Sequence, residues 1–299
     1  MTVDRLSSLL THFSVRAGIF HVGRICGVHQ FRDDPLLGHL HLVKRGSVHL
    51  LGQRYQAIEI AEPTILFLPR AGAHQLVADE ATGADVVCGT VRFGVGGGNP
   101  VTDSLPPVVM IGLASLPGAE ALLRLMFDEA FSTYGGRQAA LDRLCEVLVI
   151  LLLRHCMDQR LAQGGMLAGL SDKRLADVLL ALQADPAHAW DLPEMASRAG
   201  MSRARFAARF REVTGETPAD FLASWRIMLA QRLLCEGHQL KQIADDVGYG
   251  SASALTRAFI RKVGCTPTEW RKGAAQSAED ETAGHANETD GTLRTAHGA

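Results

Sequence analysis

The feature that most constrains this chain is a unit that occurs twice. "LPEMASRAGMSRARFAARFREVTGETP" covers 192–218 and "LKQIADDVGYGSASALTRAFIRKVGCTP" covers 240–267. Ala196 aligns with Ala244 and Gly200 with Gly248. After one extra residue in the second turn, Phe206 aligns with Leu255, Phe210 with Phe259 and Gly215 with Gly264, and both copies close on Thr-Pro. Each position has a physical role. The small Ala lets two helices cross closely. The Gly takes the positive φ that ends a helix. Ser202 and Ser251 stand where an N-cap hydroxyl is wanted. The apolar pair four residues apart buries one face of the second helix and leaves the other open. Two short helices joined this way make a helix-turn-helix, whose second helix enters the major groove of DNA.

Between the copies runs "PADFLASWRIMLAQRLLCEG" (218–237). Pro218 suits a first helical turn. About twenty residues at a rise of about 1.5 Å give about 30 Å, close to the roughly 34 Å between successive major grooves. A stiff spacer of that length holds two reading heads on one face of a duplex. Charge agrees. The chain carries a net −2, yet 196–275 holds 13 Lys/Arg against 7 Asp/Glu, hence +6 there and −8 elsewhere. A basic segment on an acidic remainder fits a local polyanion-binding surface.

The tandem motifs, the linking "WRIMLAQRLL" and the closing "GCTPTEWR" fall in the order found in the AraC/XylS regulators, which this chain resembles over 173–272. The resemblance implies a sequence-specific, cytoplasmic transcription regulator that binds double-stranded DNA, acts as an activator, works with RNA polymerase and is not an enzyme. It also implies that base contacts come from the open face of each second helix. In the second motif that face holds Ser253, Thr256 and Arg257, and Arg257 is the leading base reader, because Arg pairs bidentately with guanine. Ile260 stands where the family often has Lys, so Arg261 and Lys262 have to supply that charge. In the first motif the face is Arg203, Ala204, Ala207, Ala208 and Arg211. The alanines can touch thymine methyls but form no bidentate hydrogen bond, so Arg203 and Arg211 read as phosphate anchors. Arg205 and Arg209 flank that face, either assisting it or simply solvated.

Upstream, residues 14–95 read as short strands. "GHLHLVKRGSVHLLG" alternates between glycines, "EPTILFLPRAGAHQLVA" has an apolar run before a turn, and "ADVVCGTVRFGVG" is β-branched. Residues 94–107 read as a loop and 163–172 as a linker in which Ser171 or Asp172 caps the following helix. Two helices are expected between 118 and 162. The second has an apolar stripe at 141, 144, 148, 151 and 152, which fits burial within the chain or a homodimer interface. The expected fold class is α+β in two domains: an N-terminal cupin-like antiparallel β-barrel followed by helices, and a C-terminal all-α domain with two helix-turn-helix motifs. The expected boundaries are 1–112 for the sensor, 113–165 for the helical linker, 171–275 for the DNA-binding domain and 276–299 for a disordered polar tail.

"HLHLVKRGSVHL" followed by "LFLPRAGAHQL" resembles the cupin-type sensors of AraC-family regulators. Some cupins bind a metal through His-x-His, a Glu and a later His. His39, His41 and His74 stand at such positions, and 39 and 41 share a strand face. The Glu is missing, with Arg45-Gly46 in its neighbourhood. Two readings stay open: a three-imidazole site for Zn, Fe or Ni, or a satisfied structural histidine pair with no cofactor. The missing Glu also weighs against a metal-dependent cupin enzyme. Cys26 in "GRICGVH" and Cys88 in "DVVCGTV" give a further resemblance, to the reactive-chlorine-sensing subgroup, in which two such cysteines carry the oxidant response. If the first and last barrel strands are neighbours the two thiols could meet, and Arg24 is placed to lower the pKa of Cys26. The alternative input is an organic ligand in the barrel. The six cysteines form no dense framework, which fits reduced thiols, and Cys145, Cys156, Cys235 and Cys265 read as structural. No export signal is apparent, and "VLVILLL" (147–153) is too short to span a membrane.

Overall fold

The computed structural model describes residues 4–34, 37–53, 55–94, 99–116, 118–274 and 276. The disorder expected over 276–299 falls, apart from Gln276, outside the described residues. In chain order the elements begin with α1 (Arg5–His12), β1 (Val15–Ile25), β2 (Gly27–Phe31), β3 (Gly38–Arg45), β4 (Val48–Gly52), β5 (Tyr55–Ile60), β6 (Thr64–Leu68), β7 (His74–Ala78) and β8 (Ala84–Phe93). They continue with α2 (Pro100–Asp103), β9 (Val109–Gly112), α3 (Ala119–Ala130), α4 (Arg137–Asp158), α5 (Gly165–Ser171) and α6 (Ala176–Ala184). Last come α7 (Leu192–Arg198), α8 (Arg203–Thr214), α9 (Pro218–Cys235), α10 (Leu240–Asp246) and α11 (Ala252–Val263).

The chain divides into two compact units. The first is the expected antiparallel β-structure. One sheet has the order β1-β8-β3-β6-β9 and the other β2-β7-β4-β5. Their inner faces meet in a core of Ile25, Val43, Val48, Leu50, Ile60, Leu66, Leu76, Val86 and Cys88. The alternation read in "GHLHLV" gives way to burial at every residue from Gly38 to Val43, because β3 lies in the middle of its sheet. Of the expected stripe on α4, Leu141, Leu148 and Leu152 are buried while Leu144 and Leu151 are only partly so; Cys145 and Cys156 join the buried face, and α4 packs on β1. Two polar side chains fix that contact where the β1–β8 register shifts, between Ile19 and His21. Asp142 accepts from the Ile19 amide at 3.1 Å, and Gln138 donates to the Ile19 carbonyl at 2.8 Å.

The second unit is helical, and its membership differs from the boundaries expected. It gathers the described residues of 1–14, 94–104 and 162–289. Asp4 N-caps α1, and the helix packs on α6. Arg5 donates to the Leu170 carbonyl at 3.0 Å, Ser8 donates to Gln183 at 2.9 Å, and His12 and Phe13 meet the Trp225 ring edge-on. The segment read as a linker is α5, with Met166, Leu167 and Leu170 buried. Its glycines serve close packing rather than flexibility. A Cβ on Gly169 would lie 2.4 Å from Leu179 Cδ1 and 3.3 Å from Thr214 Cγ2. Asp172 does cap the next turn, accepting from the Arg174 and Leu175 amides at 2.9 and 3.1 Å.

Candidate functional site

The two repeats fold into two matching helix pairs, α7–α8 and α10–α11. Gly200 and Gly248 take φ of 63° and 79° in the turns. Ser202 caps α8 through the Arg205 amide at 3.4 Å, and Ser251 caps α11 through the Ala254 amide at 3.1 Å. Gly215 and Gly264 end those helices in the left-handed conformation. Phe206 and Phe210 in α8, and Leu255 and Phe259 in α11, are fully buried. Thr217 N-caps α9 and Pro218 opens it, and its 18 residues span about 27 Å.

Burial of those pairs turns the opposite faces outward. On α11, Ser253, Arg257, Ile260, Arg261 and Lys262 are exposed, and Thr256 is partly so, its hydroxyl donating to the Ala252 carbonyl at 2.8 Å. On α8, Arg203, Ala204, Ala208 and Arg211 are exposed and Ala207 is partly buried. Arg209 is committed elsewhere. It holds Asp172 at 2.7 Å and Glu212 at 3.0 Å, which ties α8 to the turn before α6. Arg211 and Lys262 line one cleft together with Thr217 and Asp220.

Arg226 in the spacer helix joins the surroundings of the two heads, a role the sequence reading missed. Its guanidinium donates to the carbonyls of Pro186 at 2.7 Å, His188 at 2.8 Å and Gly248 at 3.3 Å. The first two precede α7, and the third lies in the turn between α10 and α11. Gly248 admits this approach, since a Cβ there would lie 2.9 Å from Arg226 Nη2 and 2.7 Å from Ala187 backbone atoms.

In the barrel, β3 and the start of β7 bring His39, His41 and His74 together. All three are buried, and one nitrogen from each lies within 4.8 Å of the others. His74 Nδ1 is 2.8 Å from the Gly72 carbonyl, so that nitrogen carries a proton. His41 Nε2 and His74 Nε2 are 2.9 Å apart. Phe31 stacks on His74 at 4.9 Å and 11° and borders both other rings. Burial is the main force holding all three imidazoles neutral; it lowers the pKa of His39 to about 4 and that of His41 well below the ordinary value. Of the structural pairing expected as one reading, a hydrogen bond forms between His41 and His74. Nδ1 of His39 and Nδ1 of His41 are buried without a hydrogen-bond partner.

The cysteines lie farther apart than their strand assignments implied. β1 and β8 are neighbours, as expected, but Cys26 follows the end of β1. Ile25 pairs with Ala84, so Cys26 stands level with Gly83, five positions along β8 from Cys88. At about 3.4 Å per residue that is about 17 Å, and a disulfide needs the two Cα atoms within about 7 Å. Cys26 is exposed, while Cys88 is buried opposite His21 and His41, where desolvation pushes its thiol pKa far up. Arg24 is paired to Asp85 at 3.2 Å rather than to Cys26.

Two family patterns match: a cupin pattern over residues 4–158 and a helix-turn-helix domain pattern over 195–273. An AraC-like transcription regulator of Streptomyces antibioticus is 35% identical over 298 residues, covering 90% of this chain and 97% of its own length. RclR of Escherichia coli K12, an activator specific for reactive chlorine species, is 30% identical over 243 residues, 80% of this chain and 85% of that protein. The DNA-binding domain of AdpA, solved with target DNA, is 34% identical over 34% of this chain and 92% of its own, with a TM-score of 0.32. Among the described residues no helix is long and apolar enough to cross a membrane.

Proposed function

The chain belongs to the AraC-like transcription regulators, and on that premise we propose that it is an activator whose two heads divide the work on DNA. α11 reads bases through Arg257, with Ser253 and Thr256 beside it, and α8 grips phosphates through Arg203 and Arg211. The observation that carries this reading is the contrast between the open faces: a guanidinium flanked by hydroxyls on α11, alanines flanked by guanidiniums on α8. Bidentate recognition needs a fork of donors, and an alanine face can offer only methyl contact. Binding to a fragment from the protein's own upstream region tests it. Arg257→Ala should alter base preference, while Arg211→Ala should weaken all sequences alike; the opposite pattern would reverse the assignment.

A second reading concerns the signal. The E. coli relative named for reactive chlorine species supports an oxidant input, and the exposure of Cys26 makes that thiol the point of attack. Hypochlorous acid oxidises the thiol to a sulfenic acid and is itself reduced to chloride. With Cys88 buried and distant, the first product is a sulfenic acid on Cys26 and not a Cys26–Cys88 disulfide. Cys26→Ser should keep basal DNA binding and lose the response to hypochlorite; a variant that still responds removes Cys26 from the role. As an activator it would contact RNA polymerase when bound, and exposed Leu125 on α3 with Phe131 and Tyr134 just beyond it offers a homodimer surface that sedimentation would test.

A further inference from the structure

The described chain passes between its two units at 14/15, 93/94, 104/105 and 161/162. The first two passages belong to one ladder. Val15 pairs with Phe93 inside the barrel unit, and just beyond it the Gly94 amide donates to the Ser14 carbonyl at 2.9 Å. β1 and β8 therefore leave the barrel unit as a pair, and both lead into anchors within the helical unit. On the β8 side the anchor is Ser104. Its hydroxyl accepts from the Leu167 amide at 3.2 Å and its carbonyl from the Gln163 amide at 2.9 Å. On the β1 side the anchor is α1, and the two meet at their roots, since a Cβ on Gly94 would lie 3.2 Å from Phe13 Cδ1.

The α1 anchor grips the helix that spaces the heads. His12 and Phe13 meet the buried Trp225 ring of α9 at 5.2 and 5.6 Å between centroids. Arg232, two turns further along α9, donates to His12 Nδ1 at 3.4 Å. Trp225 adjoins Arg226, the residue bonded to carbonyls around both heads. A helix of eight residues is unstable alone in water, so α1 owes its order to this packing, with Leu6 and Leu9 buried. Slack is minimal: α1 ends at His12, Phe13 is buried, and only Ser14 stands before β1.

We propose that the β1–β8 ladder is the lever by which the barrel acts on DNA binding, and that α1 docked on α9 holds the two heads in the binding-competent arrangement. This rests on the reading of the chain as a regulator whose two heads share one operator. The ladder has a natural point of movement at its bulge between Ile19 and His21. A bulge leaves its extra residue unpaired and the ladder locally broken, so β1 can shift there at the loss of few hydrogen bonds. Gly89 permits the close approach of β1 at that point: a Cβ on it would lie 2.8 Å from the Gly18 carbonyl oxygen and 3.0 Å from Ile19 Cδ1. With one residue of slack, a shift of β1 draws α1 off Trp225 and Arg232 and loosens the spacer. By linkage, DNA must in turn favour the docked α1.

The test uses the full chain and a DNA fragment from its own upstream region. In the wild type, amide exchange in α1 and β1 should slow by about fivefold or more when DNA binds, while β4 and β5 in the other sheet stay unchanged. Leu9→Ala, which cuts the grip of α1, should weaken operator binding by about fivefold or more. Gly89→Ala, which pushes β1 at the bulge, should weaken it similarly on its own and by less than about twofold on top of Leu9→Ala. Exchange in α1 and β1 indifferent to DNA would overturn the proposal without recourse to any variant. Folded Leu9→Ala with wild-type affinity would overturn the role of α1, and fully additive losses would overturn the lever. In each of these cases tight wild-type binding leaves the reading of the two heads standing. A wild type that binds no such fragment would remove that reading and the lever with it.

Discussion

The two helix-turn-helix units share a scaffold and differ in their open faces. Turn glycines, serine caps, buried apolar pairs and left-handed C-caps match position for position, because each answers a backbone need common to both. The outward residues differ, and there α8 presents Ala204, Ala207 and Ala208 where α11 presents Ser253, Thr256 and Arg257. A repeat keeps what folding requires and varies what recognition requires.

The largest expected effects probe the shared scaffold. Phe210→Ala and Phe259→Ala remove buried rings and should each cost about 3–5 kcal/mol, read by denaturant unfolding of the helical unit. A much smaller loss at one site would break the equivalence of the two cores. Next comes Arg226→Gln, which removes a half-buried guanidinium from three carbonyls and should cost about 1–2 kcal/mol. It should also relax the preference for one spacing between half-sites, read on DNA fragments with one base pair added or removed. An unchanged spacing preference would mean that α9 alone fixes the distance between heads.

Smaller effects sharpen the difference in faces. Arg257→Ala should cost about 1–3 kcal/mol of specific binding and relax one base position. Arg203→Ala and Arg211→Ala should weaken every sequence alike and lower the salt slope by about 1 each. The smallest changes are at the caps. Ser251→Ala and Ser202→Ala should each cost about 1 kcal/mol, with the larger loss at Ser251, whose cap bond is 3.1 Å against 3.4 Å.

What could be read in advance follows the same division. The helix-turn-helix pairs and the two-sheet barrel were legible because turns, caps and alternation are local signals. α5 was not, since glycines chosen for contact with Leu179 and Thr214 look like linker glycines in sequence. The packing of α1 on Trp225 rests on contacts across more than two hundred residues, which no local pattern encodes. The histidine cluster could be located from spacing, but its orphaned nitrogens depend on how rings from two strands meet. The cysteine pair failed by register. Neighbouring strands were foreseen, yet position along them separates Cys26 from Cys88. Arg226 was hidden within an ordinary helical pattern, because its three partners are backbone carbonyls and leave no sequence trace.

If the proposed division of labour holds, α11 reads bases while α8 anchors the backbone. The most direct measurement is binding of the wild type, Arg257→Ala and Arg211→Ala to one footprinted operator and to its full set of single-base substitutions. Arg257→Ala should flatten the preference at one position under the second head, whereas Arg211→Ala should lower affinity evenly and leave every preference in place. A preference unchanged by Arg257→Ala, or lost with Arg211→Ala, would contradict it.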